Sequence, residues 1–166
     1  MHSDGRFQVR VESIRFDAAH FATFGGSCEP LHGHSYEVAA EITGSLVPDS
    51  WVVDFVALKA ILRGLCEELD HRFMLQLQSR VLKINHQSGV WEVQAPGGRQ
   101  YAFPGRDVVA LPIDNTTAER LAELLCERLV QALAERGASN IETATVEVWE
   151  GPGQRASLTR KRLPVQ

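Results

Sequence analysis

Two long segments near the N-terminus alternate apolar and polar side chains, which is the pattern of β-strands that bury one face. In residues 7–20 the apolar positions change phase near Glu12–Ser13, which predicts a β-bulge at that point. Residues 32–43 alternate without interruption and predict a second strand. Residues 21–30 (FATFGGSCEP) carry turn-forming residues and predict the loop between the two strands. The chain therefore has to cover the apolar face of a sheet with other elements.

Two amphipathic segments are suited to that role. Asp54 can cap a helix that runs to about Leu69 and keeps its apolar residues on one face. A second helix is predicted where Thr116 and Glu119 have the spacing of a capping box, and Gly137 ends it.

Two further strands are predicted at residues 141–149 and roughly 155–163. Short β-like runs broken by Gly and Pro in residues 79–110 predict a β-hairpin inserted between the helices. Strands grouped apart from helices favour an α+β fold with one antiparallel sheet. The length fits one domain, residues 1–166.

Composition and charge limit the kinds of binding partner and the cellular compartment that the chain is suited to. A net charge of −4 without clustered Lys or Arg argues against a nucleic-acid-binding or anionic-membrane surface. No stretch approaches the roughly 18 apolar residues of a membrane helix, and the first residues lack the apolar core of a secretory signal. Three cysteines, an odd number without CxxC spacing, favour a reducing cytoplasm.

Three histidines are grouped where the first two strands meet. His32 and His34 flank Gly33, so strand alternation places both imidazoles on one face, and His20 ends the preceding strand. If the strands pair, the three rings can meet and hold Zn²⁺ with an open fourth position, as in catalytic zinc sites. The spacing alone is also compatible with nickel or iron, and with separate surface or core histidines.

Cys28 and the pair Asp70–His71 are further candidates for chemistry. Cys28 lies four residues before His32 in the loop, where a nearby cation could make it a base or nucleophile; it could also be an incidental loop cysteine. Asp70 could orient and activate His71. From these two residues alone, a helix C-terminus that stabilises a histidine is the simpler interpretation.

Glu150, Thr116 and Thr117 could bind a polar ligand. Glu150 follows the apolar row Val146 and Val148 on one strand face, where a carboxylate needs a partner unless it is already solvated. An aminopyrimidine edge would supply two N–H donors to it. Thr116 and Thr117 open a helix whose free N–H groups favour polar ligands, although plain capping also explains them.

Taken together, these motifs strongly resemble the 6-pyruvoyl-tetrahydropterin and 6-carboxy-tetrahydropterin synthase family. The matching motifs occur in the family's order: Phe16–His20, Cys28-x-x-x-His32-Gly-His34, Leu69–His71, Thr117–Glu119 and Trp149–Glu150. The resemblance implies a tunnelling fold (T-fold), with a four-stranded antiparallel sheet backed by two helices. It also implies a homo-oligomer in which three subunits join their sheets, with two such rings forming a hexamer and active sites lying between subunits.

The resemblance further implies a lyase that acts on 7,8-dihydroneopterin triphosphate. It assigns zinc to His20, His32 and His34, and proton abstraction to Cys28 with Asp70 and His71. It assigns the pterin ring to Glu150, which is also counted in the proton relay, near Thr117; Thr116 stands where many relatives have proline. The expected products are 6-carboxy-5,6,7,8-tetrahydropterin, acetaldehyde and triphosphate, in queuosine-type deazapurine biosynthesis. The alternatives are a 6-pyruvoyl product and a non-catalytic pterin or purine binder.

Overall fold

The protein is built around one mixed sheet of six strands in a computed structural model that describes residues 5–161. The strands in chain order are β1 (Phe7–His20), β2 (Thr23–Phe24), β3 (Ser27–Cys28), β4 (His32–Gly44), β5 (Arg72–Gln76), β6 (Lys83–Gln87), β7 (Val90–Ala95), β8 (Arg99–Pro104), β9 (Val108–Leu111), β10 (Ile141–Gly151) and β11 (Gln154–Lys161). The helices are α1 (Phe55–Glu67) and α2 (Ala118–Glu135).

The order of strands in this sheet is β11-β10-β4-β1-β5-β9. Its four long strands pair antiparallel, as predicted, but the sheet is larger than the predicted four strands. β5 and β9 extend it beyond β1 in parallel pairing. Both are short apolar runs, which by periodicity alone resemble any buried segment. The end of the predicted strand 155–163 lies outside the described residues.

The predicted bulge in β1 is confirmed. The pairing of β1 with β4 shifts between Val11 and Ile14, and Ser13 within the bulge has a φ of 63°. Val11 and Ile14 are both buried in spite of their odd separation. The bulge therefore allows both halves of the strand to present apolar side chains to the same core.

Both helices pack over one face of the sheet. The Asp54 side chain caps α1 by accepting a hydrogen bond from the Val56 N–H (2.9 Å). The predicted capping residue of α2 is wrong by one position, because Thr117 and not Thr116 accepts from the N–H of Arg120. Gly137 ends α2 with a φ of 71°, as predicted. Apolar side chains between the layers form the main core; the largest include Phe16, Tyr36, Ile42, Leu58, Leu62, Leu121 and Leu125.

The insertion is a three-stranded antiparallel sheet, β6-β7-β8, and not the predicted hairpin. It packs through a second apolar cluster, which we call the insertion cluster: Phe21, Cys28, Phe73, Leu75, Leu82, Val93, Ala95 and Val108, with Tyr101 and Phe103 against it. The rings of Phe73 and Phe103 stack at 4.1 Å. Cys28 therefore lies where the insertion meets the main sheet.

Among residues 5–161 no helix has both the length and the apolar character required to cross a membrane.

Candidate metal centre and active site

The pairing of β1 with β4 brings the three candidate histidine ligands together. His20 is paired with His32, and His34 is paired with Ala18, so all three imidazoles project from the same face. Their ring centroids lie 4.7 Å (His20–His32), 5.2 Å (His20–His34) and 4.9 Å (His32–His34) apart. The rings are close enough for their nitrogens to share one metal ion.

Backbone carbonyls determine the tautomer of two of these rings. His20 Nδ1 lies 3.0 Å from the Thr116 carbonyl oxygen, and His32 Nδ1 lies 2.8 Å from the Pro30 carbonyl oxygen. Because a carbonyl only accepts hydrogen bonds, each Nδ1 carries a proton, and in the neutral form of each ring Nε2 presents its lone pair. Burial also lowers the pKa of His20 to about 4, so this ring is neutral near pH 7 and available as a ligand.

Glu150 completes the cluster. Its Oε1 atom lies 3.2 Å from the Nε2 atoms of both His20 and His34, and the possible ligand atoms of the four residues all lie within 4.8 Å of one another. The buried His20 Nε2 nevertheless has no partner with hydrogen-bond geometry among the described residues. With the proton on Nδ1, the Nε2 atom and the Glu150 carboxylate are both acceptors, so their contact leaves this nitrogen unsatisfied. An unsatisfied buried lone pair that faces two further imidazole rings fits zinc.

Thr116 and Thr117 occupy different environments, although they are adjacent in the chain. Thr116 is fully buried behind His20, where its carbonyl accepts from the ring and its hydroxyl donates to the Phe21 carbonyl oxygen at 3.2 Å. The structure thus places Thr116 as a support for His20, away from the position predicted for a substrate contact. Thr117 lines a cavity of about 340 Å³ together with His32, His34 and Glu150. This cavity is the candidate substrate site.

Cys28 lies in the two-residue strand β3, at the edge of the insertion cluster. Its side chain is buried, and Sγ donates a weak hydrogen bond to the Glu29 carbonyl oxygen at 3.4 Å. Burial raises the pKa of the Cys28 thiol, the positive charge of Arg99 lowers it, and Glu29 raises it further. Sequence reasoning missed Arg99, because no motif connects an arginine in the insertion to the loop.

Asp70 and His71 form the predicted pair. His71 Nδ1 lies 2.8 Å from Asp70 Oδ2, and Asp70 Oδ1 accepts from the Asp17 N–H at 2.8 Å. The Asp17 N–H is the main cause of the lowered pKa of Asp70, and the hydrogen bond to Asp70 raises the pKa of His71. The His71 side chain is 78% exposed.

His71 does not line the candidate substrate cavity within one chain. It lines a separate groove of about 520 Å³ with Asp17, Arg72 and Phe73, and His34 is the metal-site residue that borders both spaces. The structure therefore brings the three histidines and Glu150 together, and leaves the Asp70–His71 pair facing outward.

Comparison with known proteins agrees with this architecture. The family model described as 6-pyruvoyl tetrahydropterin synthase matches residues 8–161. The chain belongs to this family. Its predicted α+β class and tunnelling fold are thereby confirmed, and the match spans every element described above apart from the first residue of β1.

Individual tetrahydropterin synthases are similar over nearly their whole length. A Methanocaldococcus jannaschii protein, provisionally named 6-carboxy-5,6,7,8-tetrahydropterin synthase, is 34% identical over 160 residues, covering 92% of this chain and 93% of that protein. The 6-carboxy-5,6,7,8-tetrahydropterin synthase of Haemophilus influenzae is 28% identical over 153 residues, covering 88% and 94%. The crystal structure of Plasmodium vivax 6-pyruvoyl tetrahydropterin synthase has a TM-score of 0.90 and 33% identity, covering 95% of this chain and 99% of that chain.

Proposed function

We propose that the protein converts 7,8-dihydroneopterin triphosphate and water to 6-carboxy-5,6,7,8-tetrahydropterin, acetaldehyde and triphosphate, in queuosine-type deazapurine biosynthesis. The observation that carries the proposal is the convergence of three imidazoles and Glu150 beside an open cavity in a chain of this family. The full-length similarity to proteins named 6-carboxy-tetrahydropterin synthase favours this product. Three free cysteines fit a cytoplasmic enzyme.

His20, His32 and His34 would hold the zinc ion through their Nε2 atoms. The carbonyls of Thr116 and Pro30 orient two of these rings, so the ligand nitrogens are arranged before the metal binds. A bound zinc ion would act as a Lewis acid toward the hydroxyl groups of the substrate side chain.

Cys28, in its thiolate form, would take protons from the side-chain carbons of the substrate. His71 would relay these protons, and Asp70 holds the ring of His71 in the required tautomer through the 2.8 Å contact. Because His71 is exposed and faces a different groove from the substrate cavity, we propose that the pair serves the active site of a neighbouring subunit. This arrangement requires a homo-oligomer, and we propose one built of trimers, with a hexamer as the expected form.

Glu150 would anchor the pterin ring through the N–H donors of its aminopyrimidine edge, with Thr117 nearby. Glu150→Gln is expected to weaken pterin binding by about 1.5–3 kcal/mol, the value of a hydrogen bond to a charged group. That free energy corresponds to roughly a 10- to 100-fold rise in Kd. Calorimetric titration with neopterin measures the affinity, and mass spectrometry of the metal measures zinc content, which we expect to remain stoichiometric.

Glu142→Gln is the matched control, because Glu142 lies on the same strand but at its opposite end. It is expected to leave both measurements unchanged. Loss of zinc from Glu150→Gln with unchanged neopterin affinity would show that Glu150 is a fourth metal ligand and would contradict its role as the pterin anchor.

The second candidate is 6-pyruvoyl tetrahydropterin synthase activity, which the structural similarity to the Plasmodium vivax enzyme favours. Incubation with 7,8-dihydroneopterin triphosphate, followed by mass spectrometry, distinguishes the two. Acetaldehyde with carboxy-tetrahydropterin is the expected result, and it should disappear with a chelator and return with zinc. A pyruvoyl product would support the second candidate, and tight binding without turnover would indicate a non-catalytic pterin or purine binder.

A further inference from the structure

We infer that Arg99, at the start of β8 in the insertion, is a positioning residue that binds the backbone of the Cys28 loop and brings a positive charge to its thiol for proton transfer. The inference rests on the proposed function, in which Cys28 is the base. It gives the insertion a role in the reaction, in addition to its packing against the main sheet.

The first support is the contact between the insertion and the loop. The Arg99 side chain crosses from β8, and its Nη2 atom donates a hydrogen bond to the backbone carbonyl oxygen of Cys28. Gly97 and Gly98, both with a φ of 78°, form the turn that leads into Arg99. A guanidinium from one sheet thus binds the backbone of the residue that carries the proposed base.

The second support is how the loop is held. The Asn115 side chain binds the N–H and the carbonyl of Thr23 on β2, whereas the Arg99 side chain binds the carbonyl of Cys28 on β3. Strands β2 and β3 are two residues each and pair only at Thr23–Cys28 and Phe24–Ser27. The turn between them contains Gly25 and Gly26, whose φ values are positive. Such a short hairpin is marginally stable by itself, so contacts from outside fix the position of Cys28.

The third support is the charge around the thiol. Two charged groups act on Cys28: Arg99 from β8 and Glu29 from the residue that follows β3. The other side chains of the insertion cluster are apolar. Arg99 is therefore the cation that favours the thiolate, and it offsets part of the rise in the pKa of Cys28 that burial and Glu29 cause.

The test uses the purified full-length protein and needs no turnover. Alkylation of Cys28 by iodoacetamide is followed across pH, with the Cys28 peptide quantified by mass spectrometry, in the wild type, Arg99→Gln and Arg99→Lys. Gln keeps an N–H donor without the charge, whereas Lys keeps the charge. For Arg99→Gln we expect the pH midpoint to rise by about one unit and the rate near neutral pH to fall up to about tenfold. Arg99→Lys should keep the pH midpoint and the alkylation rate close to those of the wild type.

Arg106→Gln is the matched control, since Arg106 is an exposed arginine between β8 and β9 with a partner, Asp107, next to it in the chain. It should behave as wild type. An unchanged midpoint in Arg99→Gln, or an equal change in Arg99→Lys, would overturn the inference even in an active enzyme. A shifted midpoint in a protein that turns over no pterin would reject the proposed function and leave Arg99 as the residue that tunes this thiol.

Discussion

Replacement of Cys28 by alanine is expected to abolish turnover while zinc content stays stoichiometric. A positioned base contributes about 10²- to 10⁴-fold to the rate of a proton transfer, and alanine has no group that can replace the thiolate. Cys28 is outside the group of residues that could hold the metal, so the substitution leaves the proposed zinc ligands intact. The measurements are kcat with 7,8-dihydroneopterin triphosphate and metal content by mass spectrometry.

Cys66→Ala is the control for loss of a buried thiol. Cys66 lies in α1 within the main core, and burial raises the pKa of its thiol to about 12, so it stays protonated at neutral pH. This variant should keep its activity and lose only some stability. A Cys28→Ala enzyme with full kcat would exclude Cys28 as the base, and one without zinc would show that the loop supports the metal site.

Replacement of His34 by alanine is expected to remove the metal, and with it the activity. Loss of groups that merely support ligands weakens metal binding by about 10- to 100-fold, and loss of a ligand should exceed that range. His34 suits this test better than His20, because its side chain is 27% exposed whereas that of His20 is 1% exposed. Zinc content after dialysis, and thermal unfolding with and without a chelator, report the loss.

The wild type provides the internal reference for this experiment. Zinc that binds only the folded protein raises its stability, so a chelator should lower the wild-type Tm and leave that of His34→Ala unchanged. His86→Ala is the control substitution, since His86 stacks on Trp91 in the insertion at 4.2 Å. A His34→Ala protein that still holds stoichiometric zinc would contradict the three-histidine assignment.

The parts of the fold that follow from local pattern were predictable. Alternation identified β1 and β4 and the bulge in β1, the capping residue Asp54 identified the start of α1, and Gly137 identified the end of α2. The convergence of the three histidines could be anticipated because it needs only the pairing of two neighbouring strands.

Features that depend on contacts between segments far apart in the sequence could not be predicted. The closeness of Glu150 to His20 and His34 results from β10 lying beside β4, and nothing in the sequence near Glu150 specifies that neighbour. The strands β5 and β9 were too short to be distinguished from other buried runs. The choice of Thr117 over Thr116 as the cap depends on the burial of Thr116 behind His20.

The bulge in β1 has a consequence for the metal centre that lies beyond it. Ile14, Phe16, Ala18 and His20 are separated by even numbers of residues, so the core and the imidazole share one side of the sheet. If β1 continued from Val11 without the bulge, the side chains of residues 14–20 would lie on the opposite face of the sheet. The His20 ring would then point away from His32 and His34. The one extra residue between Val11 and Ile14 thus decides whether the His20 ring lies on the same face as His32 and His34, and so whether the site has three histidine ligands or two. A single extra residue between Ile14 and His20 would turn the ring to the opposite face, and two extra residues would keep the face but move His20 out of register with His32.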